Sequence, residues 1–240
     1  MGWHTERLAA FDIETTGVDT EHDRIVTAAV SLVGGGHASQ HRSWLVNPGI
    51  EIPAGATAVH GITTERARAE GRIASEAIDE ITAALADQLR AGVPIIAFNA
   101  RFDLTILDRE AQRHGLQRLL ELVGGVENML VVDPYVLDKH VDRFRRGKRT
   151  LGAVCEHYRV PLGRAHEANT DALAAARVAY RLGAEFAELG ASDLEVLHRE
   201  QVAWAAEQAA SLEDYFRQQG RNEPIERVWP VVPSSLPRAA

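Results

Sequence analysis

Cysteine is almost absent from this chain of 240 residues, since Cys155 is its single cysteine. A lone cysteine excludes an internal disulfide and a cysteine-based zinc site, and it is typical of proteins in a reducing compartment. No apolar run approaches the length of a membrane span, and the chain enters its first predicted strand without a signal-like segment. We therefore expect a cytoplasmic protein with no membrane partner.

Positive charge is also scarce, because the chain has 26 lysine and arginine residues but 34 acidic residues, which gives a net charge of -8. An acidic protein is poorly suited to coat nucleic acid along its length. One short segment is nevertheless strongly basic and contains Lys139, Arg143, Phe144, Arg145, Arg146, Lys148 and Arg149. We interpret this segment as a mobile loop that contacts phosphates, with a merely solvated basic loop as the alternative.

What the chain does have is a set of acids in unusual places. An apolar run from Leu8 to Ile13 predicts a buried strand, yet Asp12 and Glu14 interrupt its end. Side chains alternate along a strand, so both carboxylates face the same side. Two like charges at the edge of a core repel each other, and a cation such as Mg²⁺ or Mn²⁺ removes that conflict. The alternative is a strand that ends in a solvated acidic loop.

Two further acids are predicted in the first turns of helices. Asp103 follows a short apolar strand around Ile95, with Asn99 before it as a cap or turn former. Asp171 begins an alanine-rich helix, and His166 lies on the loop before that helix. The helix dipole favours acids near a helix start, which would explain Asp103 without a function. A histidine here can approach a metal-bound water, although a lone histidine is more often a surface residue.

Taken together, these segments resemble the DEDD superfamily of 3′-to-5′ exonucleases. They match its histidine-bearing DEDDh subgroup, which includes the proofreading epsilon subunit of bacterial DNA polymerase III and ribonuclease T. The motifs follow the family's order and spacing: Asp12-x-Glu14 with Thr15-Thr16-Gly17, Asn99-x-x-x-Asp103 and His166-x-x-x-x-Asp171. The resemblance extends from about Leu8 to Leu182. The chain departs from it at Phe98, where relatives often carry histidine.

The resemblance implies hydrolysis of a terminal phosphodiester by two metal ions, Mg²⁺ or Mn²⁺, held about 4 Å apart. Asp12 would bridge both ions, Glu14 and Asp171 would hold the ion that activates water, and Asp103 would serve the leaving group. His166 would accept the proton of the attacking water. Substrate contacts are expected from Thr15, Thr16, Gly17, His60, Asn99 and Phe102.

The expected substrate is the 3′ end of single-stranded or frayed DNA, with nucleoside 5′-monophosphates as products. An RNA-processing 3′-to-5′ exoribonuclease and a catalytically idle nucleic-acid-binding scaffold are the alternatives. Retention of all five polar residues favours an enzyme, because crowded acids cost stability when no metal is present. Contacts to the ribose 2′-hydroxyl would separate DNA from RNA. The candidate partners of its C-terminal helix are a polymerase, a repair protein or a second copy of the chain.

Periodicity and turn residues predict an α/β fold. Strands are expected near residues 8–13, 24–33, 38–46, 95 and 130–132, with a hairpin at Gly34-Gly35-Gly36. Helices are expected at 75–90, around Asp103, at 151–158 and around Asp171. The resemblance identifies this arrangement as ribonuclease H-like, with a mixed five-stranded sheet flanked by helices.

We expect an exonuclease domain at 1–187 and a C-terminal helix and extended tail at 188–240. The capping-box pattern Ser192-Asp193-Leu194-Glu195 predicts the start of a long helix that ends at Gly220. Its apolar stripe contains Leu197, Trp204, Leu212, Tyr215 and Phe216. We expect this helix to fold back on its own domain, with another copy or another protein as alternatives. Trp229-Pro230-Val231-Val232-Pro233 predicts an extended strap, followed by a disordered terminus.

Overall fold

One mixed sheet organises this computed structural model, which describes residues 2–163 and 167–234. Its strands are β1 (Arg7–Thr15), β2 (Ile25–Gly34), β3 (Gln40–Asn47), β4 (Arg72–Ile73), β5 (Ile95–Ile96) and β6 (Val131–Val132). They lie in the order β4-β3-β2-β1-β5-β6, so that β1 is central. β2 is antiparallel to both β1 and β3, whereas β5 and β6 continue the sheet parallel to β1.

The predicted α/β architecture is confirmed, with one strand more than the five expected. The added strand, β4, has two residues and pairs in parallel with Val46 and Asn47 at the end of β3. Two residues carry no readable periodicity, which is why the sequence did not indicate this strand. The predicted hairpin is also confirmed: Gly34, Gly35 and Gly36 all have positive φ angles and connect β2 to β3. A Cβ at Gly34 would lie 2.5 Å from the Glu6 carbonyl oxygen, so this turn requires glycine.

Helices cover both faces of the sheet. In chain order they are α1 (Ala54–His60), α2 (Thr64–Glu70), α3 (Ala74–Arg90), α4 (Ala100–Arg113), α5 (Leu119–Leu122), α6 (Pro134–Val141), α7 (Leu151–His157), α8 (Ala168–Glu185), α9 (Ala187–Ala191) and α10 (Leu194–Gln218). The four helices predicted within the exonuclease domain correspond to α3, α4, α7 and α8. The helices α1, α2, α5, α6 and α9 were not predicted from the sequence. No helix in the described ranges is both long enough and apolar enough to cross a bilayer.

Alternation along β1 divides the core into two layers. Phe11 belongs to an apolar cluster that includes Ile78 of α3 and Leu107 of α4. Leu8 belongs to a second cluster, which includes Val178 of α8. Because Asp12 and Glu14 share the register of Leu8, their side chains lie on the α8 side of the sheet.

Helix α10 packs on its own chain, as expected, but its buried face differs from the predicted stripe. Asp193 caps the helix by accepting hydrogen bonds from two backbone N–H groups of the first turn. Leu197 is fully buried, whereas Leu212 and Tyr215 remain 36% and 55% exposed. Two polar residues, His198 and Gln201, lie in the buried face instead.

The predicted strap follows α10 and lies against the domain. Trp229 and Val231 are buried and join the apolar cluster that contains Phe11. The expected disordered terminus, residues 235–240, lies outside the described residues, as does His166.

Candidate active site

Three of the predicted metal-binding acids meet at one point of the fold. Asp12 and Glu14 project from β1, and Asp171 lies in the first turn of α8. One carboxylate oxygen from each residue can be chosen so that all three lie within 4.8 Å of one another. Asp171 is buried, while the other two are partly buried. Three converging carboxylates are the oxygen-rich donor set that Mg²⁺ or Mn²⁺ prefers.

Small residues explain how α8 reaches β1 closely enough to form this cluster. Ala10, Ala172 and Ala176 pack together as a separate apolar contact between the strand and the helix. Ala172 directly follows Asp171, and its side chain is fully buried. Larger side chains at this contact would push the helix away from the strand. The alanine-rich sequence of α8 therefore places the Asp171 carboxylate next to that of Asp12.

Asp103 approaches the same strand from α4. Its Oδ1 accepts a hydrogen bond from the backbone N–H of Ile13, at 3.2 Å, and the residue is only 4% exposed. Ile13 lies between Asp12 and Glu14, so the Asp103 carboxylate is fixed to the segment that carries both acids. Asp103 is not part of the three-oxygen cluster, but its charge acts directly on Asp12.

The carboxylates raise one another's pKa. Burial, followed by the charges of Asp103, Asp171 and Glu14, raises the pKa of Asp12 well above its usual value. Burial and the charge of Asp171 raise the pKa of Glu14 to about 7. Burial also raises the pKa of Asp103. Because the charges that raise these pKa values are themselves negative, a divalent cation would relieve the repulsion, and the donor set fits such an ion.

The remaining residues of the first motif stabilise the turn that follows β1. Thr15 donates a hydrogen bond to the Gly17 carbonyl oxygen, and Thr16 donates one to Asp23, both at 2.6 Å. A Cβ at Gly17 would lie 2.5 Å from an Asp23 carboxylate oxygen, so a larger residue here would displace the Asp23 side chain. These residues border the carboxylates along the chain, and their expected role toward substrate stays a prediction.

Asn99, Phe102 and His60 were also predicted to contact substrate. Asn99 adopts a left-handed conformation with a φ of 64° and forms the turn between β5 and α4, but its side chain does not cap the helix. Phe102 is half-buried against the apolar cluster. His60 ends α1, and its Nδ1 accepts a hydrogen bond from the Ile62 N–H at 3.1 Å. Their contacts with substrate stay predictions.

The cap of α4 is Asp133, which was not predicted from the sequence as a site residue. The Asp133 carboxylate accepts hydrogen bonds from the backbone N–H groups of Asn99 and Ala100, at 2.8 and 2.9 Å, and from Tyr135 at 3.0 Å. Burial raises its pKa to about 6, partly offset by these hydrogen bonds. An aspartate before Pro134 at the end of an apolar run is a helix-start signal that predicts α6. It gives no indication that the same carboxylate also caps α4.

The basic segment is only partly the open loop that was predicted. Arg145 and Arg149 form ion pairs with the fully buried Asp138, which also accepts a hydrogen bond from the Tyr158 hydroxyl at 3.0 Å. Burial of this acid explains why two arginines are drawn inward. Phe144 is 88% exposed, and Arg143, Arg146 and Lys148 are also exposed. The sequence could not distinguish the two structural arginines from their exposed neighbours.

Comparison with known proteins places these features in a family. The RNase_T exonuclease model matches residues 9–179. A PolC-type DNA polymerase III from Streptococcus sanguinis strain SK36 is 25% identical over 193 residues, which are 80% of this chain and 12% of that protein. A DNA polymerase III subunit epsilon-like protein from Rhodobacter capsulatus is 42% identical over 107 residues, 43% of this chain and 14% of that protein. The chain thus spans about an eighth of these relatives' length.

Solved structures show the same fold. Escherichia coli Exonuclease I in complex with a dT13 oligonucleotide superimposes with a TM-score of 0.64 at 19% identity, covering 77% of this chain and 42% of that one. A structure named ExoI/SSB-Ct complex gives a TM-score of 0.63 at 18% identity, with the same coverage. The family match spans the three motifs and the strands and helices that carry them. The chain therefore belongs to the RNase_T exonuclease family and is a member of the DEDD superfamily of 3′-to-5′ exonucleases.

Proposed function

We propose that this protein is a two-metal-dependent 3′-to-5′ exonuclease of the DEDDh type that degrades single-stranded or frayed DNA to nucleoside 5′-monophosphates. The observation that carries the proposal is the cluster of Asp12, Glu14 and Asp171, whose oxygens converge within 4.8 Å on one side of β1. Such a concentration of buried negative charge is unfavourable unless a cation binds to it.

Each site residue has a separate role in the proposed reaction. Asp12, Glu14 and Asp171 hold the cations, and Asp103 supports the leaving-group side from its anchor on the Ile13 N–H. Bound Mg²⁺ or Mn²⁺ supplies positive charge to the phosphate and lowers the pKa of the attacking water. His166 accepts the proton of that water, as its position in the third motif suggests.

DNA is the preferred substrate in this proposal. The similar Exonuclease I structure contains a dT13 oligonucleotide, and the two curated relatives carry the name DNA polymerase III. The overall charge of -8 suits an enzyme that engages a few terminal nucleotides rather than a long stretch. The exposed residues of the basic segment, Arg143, Arg146 and Lys148, are available to contact the phosphates of the strand.

We also propose that residues 1–187 form the exonuclease domain, that residues 188–240 form a C-terminal helix and tail, and that the protein is cytoplasmic. We further propose that it associates with a polymerase, a repair protein or a second copy of the chain. The exposed Tyr215 and Leu212 at the end of α10 are the surface where this partner is expected to bind.

The test is a side-by-side assay of 5′-labelled substrates with MgCl₂ or MnCl₂. Single-stranded DNA, duplex DNA with a mismatched 3′ end and a short RNA are compared at equal concentrations. We expect progressive shortening of the single strand and of the frayed end, and no product from Asp12→Ala. Asp87→Ala is the matched control, because this acid is exposed on α3 and pairs with Arg90 at the surface.

Each outcome has a distinct meaning. Faster degradation of RNA than of either DNA would replace the proposal with an RNA-processing exonuclease. Intact label on all three substrates would favour a catalytically idle scaffold. Activity that survives in Asp12→Ala, at the level of Asp87→Ala, would show that the carboxylate cluster is not the catalytic site.

A further inference from the structure

The position of Asp103 depends on how α4 begins. The helix starts at Ala100, and Asn99 before it provides no side-chain cap. The first N–H groups of a helix need acceptors, and here the Asp133 carboxylate accepts from Asn99 and Ala100. A carboxylate at this end also complements the helix dipole. Asp133 therefore fixes the helix terminus within one turn of Asp103.

Asp133 is held in turn by residues that follow the family domain. The indole Nε1–H of Trp229 donates a hydrogen bond to its Oδ2, at 3.3 Å. The Asp133 backbone N–H donates a hydrogen bond to Oε1 of Gln201, at 2.7 Å. The Gln201 side-chain amide in turn donates to the Val131 carbonyl oxygen, at 2.9 Å. Trp229 and Gln201 are 4% and 0% exposed. Both lie beyond residue 179, where the match to the exonuclease family ends.

The strap, residues 229–233, and Glu226 just before it also follow the length of α4. The Arg101 guanidinium donates to the Glu226 carbonyl oxygen, and the Arg109 guanidinium donates to the Val232 carbonyl oxygen. Between them, the Val232 N–H donates to Oγ1 of the fully buried Thr105, at 3.1 Å. Arg101, Thr105 and Arg109 are spaced by four residues and therefore line one face of the helix.

We propose that the strap is a positioning element of the exonuclease site, holding α4 and hence Asp103 in place through Trp229, Asp133 and Thr105. This inference rests on the proposed metal-dependent function and adds to it a role for a segment outside the family domain. Asp103 contacts the Ile13 N–H only if α4 keeps its place against β1. A helix that loses the strap would move this carboxylate away from Asp12 and Glu14.

The test compares two buried tryptophans that resemble each other. Trp229→Leu removes the indole donor to Asp133, and Trp3→Leu is its matched control. Trp3 is 5% exposed, and its indole donates to the Leu189 carbonyl oxygen at 2.8 Å, away from α4. Thr105→Val is a second variant that keeps the side-chain volume and removes the acceptor of the Val232 N–H. Thr105→Val provides the same test if Trp229→Leu does not fold.

Two quantities are measured on the full-length chain, well below each variant's melting temperature. Calorimetric titration with MnCl₂ gives metal affinity, and steady-state assays on single-stranded DNA give kcat and KM. We expect Trp229→Leu and Thr105→Val to weaken Mn²⁺ binding and lower kcat by about tenfold, as is usual when groups that orient metal ligands are removed. KM should stay unchanged, and Trp3→Leu should lower only the melting temperature.

The outcomes separate this inference from the proposed function. Equal Mn²⁺ affinity and kcat in Trp229→Leu, Thr105→Val and Trp3→Leu would overturn the positioning role while leaving the exonuclease intact. Loss of Mn²⁺ affinity in the strap variants of a chain that degrades no nucleic acid would support positioning and defeat the proposed function. A wild-type chain that does not bind Mn²⁺ would overturn the inference itself.

Discussion

Replacement of Glu14 by glutamine should stabilise the metal-free protein at alkaline pH. Burial and the charge of Asp171 raise the pKa of Glu14 from 4.5 to about 7. Each unit of such a shift corresponds to about 1.4 kcal/mol, so the full shift corresponds to about 3 kcal/mol. Partial solvent access screens this interaction, which leaves about 1–2 kcal/mol. Glu14→Gln removes that cost because its amide carries no charge.

The pH dependence has a defined sign. Between pH 4.5 and about 7 the unfolded chain has released the Glu14 proton, while the folded chain still holds it. The unfolded state therefore binds fewer protons, and the free energy of unfolding falls as the pH rises through this window. Glu14→Gln has no carboxyl proton at this position, so its free energy of unfolding does not fall for this reason. We expect the free energy of unfolding of Glu14→Gln to exceed that of the wild type by about 1–2 kcal/mol at pH 8. The two should match near pH 4.5.

Urea denaturation in EDTA measures this difference at both pH values. Asp87→Asn is the control, because that side chain is exposed and should show little change. A second series with MnCl₂ should reverse the order, since only the intact carboxylate set gains stability from metal binding. If Glu14→Gln and wild type lost stability equally between pH 4.5 and 8, the Glu14 carboxylate would not be under the repulsion described here.

Two further predictions concern the same site. Ala172→Leu should destabilise the protein by about 1–3 kcal/mol and lower kcat, because the larger side chain separates α8 from β1 and displaces Asp171. Urea denaturation and the nuclease assay measure both effects, with the exposed Ala187→Leu as control; unchanged kcat would refute the close-contact argument. His166→Ala should lower turnover while calorimetric Mn²⁺ affinity stays near that of the wild type, and a parallel loss of affinity would mean that this histidine binds metal.

Much of the carboxylate cluster was predictable because it depends on local patterns. Asp12 and Glu14 share a face through the period of a strand, and the structure places both on the α8 side. Asp171 reaches them because the small Ala172 of this alanine-rich helix lets α8 approach β1. Asp103 is also close, although its carboxylate is bound to the Ile13 N–H rather than placed within the three-oxygen cluster.

What the sequence did not indicate depends on contacts between distant segments. Asp133 caps α4 across 33 and 34 residues of sequence, and only the fold brings the two together. The inward positions of Arg145 and Arg149 follow from the burial of Asp138, which local composition does not reveal. The buried positions of His198 and Gln201 on α10 could not be predicted from an apolar pattern, because these side chains bind backbone groups around β6.

His198 and Gln201 of α10 occupy the backbone hydrogen-bonding groups on the outer side of β6. The Val131 N–H donates to His198 Nδ1 at 3.3 Å, and the Val131 carbonyl oxygen accepts from Gln201 at 2.9 Å. Burial lowers the pKa of His198, which favours the neutral ring whose Nδ1 can accept this hydrogen bond. Free backbone groups on an outermost strand invite pairing with another polypeptide, and here two side chains occupy them. Polymerisation of the protein through this side of the sheet would first require α10 to detach.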